Sequence, residues 1–193
     1  YSAAKGSLDP WASRQMTRFA LGIIMMFAIA LTDIRVWMRY AYLIYAIGIL
    51  LLGAVELTGV VGMGAQRWLD FGFVRIQPSE FMKIALILAL ARHFHTMSME
   101  EVGRPVYLLI PILLVVAPVT LVFRQPDLGT AVMLVVGAAA MFFIAGVRIW
   151  KFVVVAIVGL ASIPVTWNFL HAYQRKRILT FLNPESDPLG AGY

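Results

Sequence analysis

Leu128-Gly129-Thr130-Ala131-Val132-Met133-Leu134-Val135-Val136-Gly137-Ala138-Ala139-Ala140-Met141-Phe142-Phe143-Ile144-Ala145-Gly146-Val147 runs for 20 residues without a charged side chain. A helix needs roughly 20 mostly apolar residues to cross ~30 Å of hydrocarbon. A membrane β-barrel would instead show alternating segments of ~10 residues, and nothing alternates here. Working outward, residues 41–55, 107–123 and 152–169 are apolar runs of the same kind. The composition agrees. The chain is 61% apolar and 13% charged, with a mean hydropathy of +0.84, against about 45–50% and about 25% in soluble domains. The expected fold is all-α, a polytopic transmembrane helical bundle forming one integral-membrane domain over residues 1–193.

Six spans are expected, at about 18–32, 39–61, 79–93, 105–123, 128–147 and 151–170. Pro111, Pro118 and Pro164 fall inside them, which buried spans tolerate when neighbours satisfy the freed carbonyls. The connections 33–39 and 146–151 read as short loops, whereas 62–78 reads as a long one carrying Gln66, Arg67, Trp68, Asp70 and Arg75. Residues 171–193 also read as a long loop. It opens with Arg175-Lys176-Arg177 followed by Ile178, Leu179, Phe181 and Leu182, a pattern that suits a helix lying in the membrane interface. Asn183 to Gly190 then reads as turns. The first residue is Tyr1 and the last stretch is loop-like, so the chain is read as a piece of a longer protein.

There is no cysteine, hence no disulfide. The formal charge of +6 sits in loops, which points to anionic headgroups or an anionic lipid-linked substrate. Nucleic acid is set aside because no compact basic domain carries the charge. Of the 16 Lys and Arg residues, ten fall on the side of loop 62–78 and six on the other. The positive-inside bias would place the larger set in the cytoplasm.

Two stretches carry the chemistry. In Gln77-Pro78-Ser79-Glu80-Phe81-Met82-Lys83, proline marks the first helical position and Glu80 lies in the first turn, where the helix dipole favours an acid. Lys83, three residues on, shares a face with Glu80. Read blandly, this is a dipole-matched acid with a surface ion pair; an ionisable pair at a membrane span makes function the default. Arg124-Gln125-Pro126-Asp127-Leu128-Gly129-Thr130 repeats the device, with Asp127 capping at the least. Helix N-termini bind phosphate, and an arginine fork suits phosphate better than lysine does, so Arg67 and Arg124 are the phosphate candidates and Lys83 the candidate for orienting a carboxylate. Glu56 reads as an interfacial side chain. His93 and His95 lack the further ligands a metal needs, and the Met25-Met26-Phe27 and Met141-Phe142-Phe143 clusters read as packing.

With Gln66-Arg67-Trp68-Leu69, the Gln77–Lys83 stretch, the Arg124–Thr130 stretch and Asn183–Tyr193 in order along it, the chain resembles the SEDS proteins (shape, elongation, division, sporulation), its end looking like the rod-shape RodA branch more than the division FtsW branch. The resemblance implies about ten spans, these six being the second to the seventh, in the bacterial cytoplasmic (inner) membrane. It implies a peptidoglycan glycosyltransferase that polymerises lipid II for cell elongation and releases undecaprenyl pyrophosphate, with a class B penicillin-binding protein as transpeptidase partner and membrane lipids around it. It places loop 62–78 and residues 171–193 outside the cell, against the charge count; an anionic substrate on that face accounts for the excess cations. It implies supporting roles for Glu80, Lys83 and Asp127, and a substrate-binding set of Arg67, Trp68, Gln77, Arg124 and Gln125. The general base is expected beyond Tyr193; Asp187 matches the turn motif instead. No cofactor or metal site is evident, and a divalent cation such as Mg2+ carried by the pyrophosphate is compatible. A lipid-precursor flippase or other transporter, and a non-enzymatic scaffold for the transpeptidase, are the alternative readings.

Overall fold

The computed structural model describes residues 11–62, 65–70, 75–125, 127–169, 175 and 179. The interfacial helix and turns expected over 171–193 lie outside these, apart from Arg175 and Leu179. The chain divides into two units, Tyr1–Tyr40 and Ala41–Tyr193.

In the first unit, α1 (Trp11–Ala30) begins earlier than the apolar run does. The next helix, α2 (Ile34–Thr58), starts in this unit and continues into the second. The connection expected over 33–39 is mostly helix, because Asp33 Oδ1 accepts the Arg35 N–H at 2.8 Å and caps the first turn of α2. Arg35 and Arg39 therefore ride on the helix; long cationic side chains at a span end reach the interface by snorkelling.

The second unit holds the rest of α2, then three short strands, β1 (Val60–Gly62), β2 (Ala65–Asp70) and β3 (Arg75–Ile76). They pair antiparallel in the order β1-β2-β3. The helices α3 (Pro78–His95), α4 (Met99–Gly103), α5 (Leu109–Arg124), α6 (Leu128–Ile144) and α7 (Ile149–Phe169) follow. A 3₁₀ turn over Pro105–Leu108 leads into α5. Ile34–Thr58 and Pro105–Arg124 are each long and apolar enough to cross a membrane.

The inside of this unit is built from small residues. Ala85 and Ala89 of α3, and Ala131 and Ala138 of α6, are buried; Ala85, Ala131 and Ala138 share a core with Leu52, Met82, Leu86, Leu90, Val122 and Leu134. Small side chains let helix backbones approach closely, which is how helices associate in lipid. Gly48 of α2 takes this furthest: a Cβ there would lie 2.6 Å from Met82 Sδ. The outside is the reverse of a soluble protein. Leu113, Ile144, Val155 and Leu160 are each 65–75% exposed, along helices with few charges, and soluble monomers rarely expose large contiguous apolar patches.

Pro118 lies inside α5 and has no N–H for the Leu114 carbonyl four residues back. The Tyr45 hydroxyl of α2 donates to that carbonyl instead, at 2.9 Å. The end of α6 comes three residues before that of the apolar run. Gly146, at φ +91, donates to the Phe143 carbonyl while Val147 N donates to Phe142, which is a Schellman stop. The loop before the 3₁₀ turn holds α4, closed by a capping box between Ser98 and Glu101. Lys151 Nζ of α7 donates to the Gly103 carbonyl at its C-terminal end, 3.0 Å away.

Candidate functional site

The starts of α3 and α6, with β2 alongside, gather most of the chemically loaded residues. Proline fixes the start of α3: Pro78 is its first residue and extended Gln77 precedes it. With no N–H to satisfy at that position, the Gln77 side chain makes no cap bond. Its Nε2 donates to Ser79 Oγ at 3.0 Å and to Asp127 Oδ2 at 3.3 Å. Glu80 lies in the first turn, and Lys83 Nζ pairs with its Oε2 at 2.8 Å, one-third exposed against 57% for the acid. This pair has the i,i+3 geometry the spacing implies.

Asp127 is the N-cap of α6 and is buried. Its carboxylate accepts the Thr130 N–H at 3.3 Å and the Thr130 hydroxyl at 2.8 Å. Arg67 Nη1 lies 3.5 Å from Oδ1. Residues from three elements thus meet at one acid, Arg67 and Gln77 coming from 60 and 50 positions away in sequence. A buried carboxylate is costly unless hydrogen-bonded and paired, and these donors supply both needs.

The backbone of β2 explains how Arg67 gets there. Val60 pairs with Trp68 and Val61 with Gln66, so Arg67 is the extra residue of a β-bulge. A bulge re-aims the side chain at its centre. Trp68, half-buried, takes the paired position beside it. At the far end of β2, Asp70 binds Arg75 at 2.9 Å.

The remaining candidates are placed apart from this hub. Arg124, 66% exposed, pairs with Glu56 at 3.3 Å, so Glu56 is an ion-pair partner rather than an isolated interfacial acid. Gln125 is buried and donates Nε2 to the Leu52 carbonyl of α2 at 2.9 Å, which makes it a bracket between α5 and α2. Arg67 lies with Nη1 on Asp127. Pro126 lies outside the described residues. His93 Nδ1 faces the Tyr42 hydroxyl at 3.5 Å, and among the described residues no three His, Cys, Asp or Glu side chains group as metal ligands.

Thr130 and the Arg67–Asp127 pair escape sequence reasoning. Thr130 has a local signal, an Asp-x-x-Thr start in which the third residue can donate back to its cap. The pair has none, since it depends on the bulge.

The family model described as cell cycle protein, covering FtsW, RodA and SpoVE, matches residues 4–193. The chain belongs to this family. Among FtsW/RodA/SpoVE relatives, peptidoglycan glycosyltransferase MrdB of Escherichia coli K12 is 41% identical over 197 residues, covering 99% of this chain and 51% of the relative. Stage V sporulation protein E of Bacillus subtilis is 36% identical over 186 residues, covering 95% and 50%. A chain of a peptidoglycan synthase complex, solved for its coordination of polymerization and crosslinking, superposes with a TM-score of 0.78 at 34% identity, covering 94% of this chain and 54% of that one. The rod shape determining protein RodA of Thermus thermophilus superposes at 0.68 and 31%, covering 79% and 50%. The chain spans about half the length of these relatives. Membership bears out the SEDS resemblance, and the fold is that of a helical membrane protein.

Proposed function

We propose that the protein carrying this chain is a peptidoglycan glycosyltransferase that polymerises lipid II for cell elongation, as a multi-pass protein of the bacterial cytoplasmic membrane. The observation that carries the reading is 41% identity to peptidoglycan glycosyltransferase MrdB across 99% of this chain. The α3 and α6 starts support it, because they place an acid–cation pair and a held carboxylate at neighbouring helix ends.

In this reaction a sugar hydroxyl attacks the anomeric carbon of a second lipid-linked sugar. The C–O bond to undecaprenyl pyrophosphate breaks, and the hydroxyl proton passes to a general base. We assign that base to none of the described residues. Lys83 is proposed to hold an ionised carboxylate in place, since a neighbouring cation favours the charged form, with Glu80 fixing the lysine. Exposed Arg124 is the remaining candidate for meeting the pyrophosphate, where positioned cations stabilise developing charge. Trp68 is proposed to shape the same face. A divalent cation is proposed to enter on the pyrophosphate rather than on a protein-built site.

A class B penicillin-binding protein is the proposed partner, supported by the likeness to a chain of the peptidoglycan synthase complex. Purified full-length protein with this partner is expected to convert lipid II into glycan strands resolvable on a gel. Movement of lipid II across vesicle membranes without strand formation would establish the transporter reading instead.

A further inference from the structure

We propose that Arg67 is a positioning residue, locking β2 to the starts of α3 and α6 through Asp127, rather than a substrate-binding one. The inference rests on the glycosyltransferase reading for its kinetic consequence, but the lock itself is testable without it.

Asp127 Oδ1 meets Arg67 from β2 and the Thr130 N–H from α6. Oδ2 meets Gln77 from the α3 start and the Thr130 hydroxyl. Three elements share one acid, and both oxygens are used. Arg67 is aimed there by the bulge, its side chain only 17% exposed. The guanidinium is largely withdrawn from solvent: Nη1 lies on the acid, and Nε is buried with no hydrogen-bond partner among the described residues. β2 packs against α3, so the lock fixes the strand that carries Trp68 to the helix that carries Glu80 and Lys83. A displacement of about 1 Å at a reacting centre costs on the order of 100-fold in rate, so a loosened strand is felt in turnover.

The test uses the full-length protein with its partner and lipid II, together with amide hydrogen exchange on the same samples. Arg67→Ala is expected to lower kcat by about 10- to 100-fold while KM for lipid II stays within about twofold, because a residue that positions reacting groups without touching the substrate leaves ground-state binding intact. Arg67→Lys, which keeps the charge, is expected to recover most of kcat. Arg67→Ala combined with Asp127→Asn is expected to be no slower than the slower single variant, as for residues acting as one unit. Exchange of the Ala65–Asp70 amides is expected to quicken in Arg67→Ala and Asp127→Asn and to stay slow in Arg67→Lys. A rise in KM with kcat unchanged would make Arg67 a substrate contact and overturn the proposal. Unchanged exchange over β2 in Arg67→Ala would overturn it as well. Failure of the wild-type protein to make glycan would refute the glycosyltransferase reading alone, and the exchange data would still decide the lock.

Discussion

Tyr45 and Pro118 form one unit, although they sit on different helices. The proline leaves the Leu114 carbonyl without its helical donor, and the tyrosine hydroxyl replaces it. Tyr45→Phe is expected to lower stability by about 1 kcal/mol, the range for a hydrogen bond between membrane helices, read as a lower thermal midpoint in detergent. In a Pro118→Ala background, where an N–H returns to the Leu114 carbonyl, the same substitution is expected to cost close to nothing. Equal costs in both backgrounds would show that the two residues are independent. At the α6 start, Asp127→Asn keeps a good N-cap but leaves Arg67 without an anion, and Asp127→Ala loses both. The alanine variant is expected to be the less stable by about 1 kcal/mol, the usual worth of a cap, measured by the same unfolding midpoint.

One helix crossing and one helix boundary respond to change in distinct ways. Gly48→Leu is expected to push α2 away from α3, since even a Cβ meets Met82 Sδ at 2.6 Å; overpacking typically costs about 1–3 kcal/mol. At α4, the Ser98 backbone N–H donated to Glu101, with the Ser98 hydroxyl, holds the Glu101 carboxyl below its ordinary value. A folded-state pKa below the unfolded one means the cap contributes fully above the ordinary carboxylate pKa and is lost as pH falls through the lowered value. Amide protection at α4, corrected for the intrinsic rate, should fall over that window in the wild-type chain and stay level in Glu101→Gln. The α3 start, the Glu80–Lys83 pair and the capping role of Asp127 were legible in the sequence because each depends on residues within four of one another. The α4 helix was legible too, in Ser98-x-x-Glu101, but apolar length dominated the reading. The strands were not, because they are only two to six residues long, too short for a period-2 pattern to show, and the Arg67–Asp127 contact was not, because residues about 60 positions apart share no local signal. Gln125 and Arg124 looked alike in sequence and separate only in space, one buried on Leu52 and the other exposed on Glu56.

Over the whole chain, composition alone was enough to show a helical membrane protein, because helices that satisfy their own backbone can turn apolar side chains outward into lipid. The pattern of small buried residues and large exposed ones is the structural counterpart of that composition. The chemistry is concentrated at one set of helix ends, where α3 and α6 begin, and the proposed function assigns glycan polymerisation to this end. The direct measurement is glycan synthesis from lipid II by the full-length protein with the proposed penicillin-binding partner, comparing wild type with Glu80→Ala and Asp127→Ala at matched folded concentration. Strands are expected from the wild type, with at least about a 10-fold loss in each variant, because Glu80→Ala frees Lys83 and Asp127→Ala releases β2, each displacing groups that must be positioned. Normal polymerisation by both variants would contradict it.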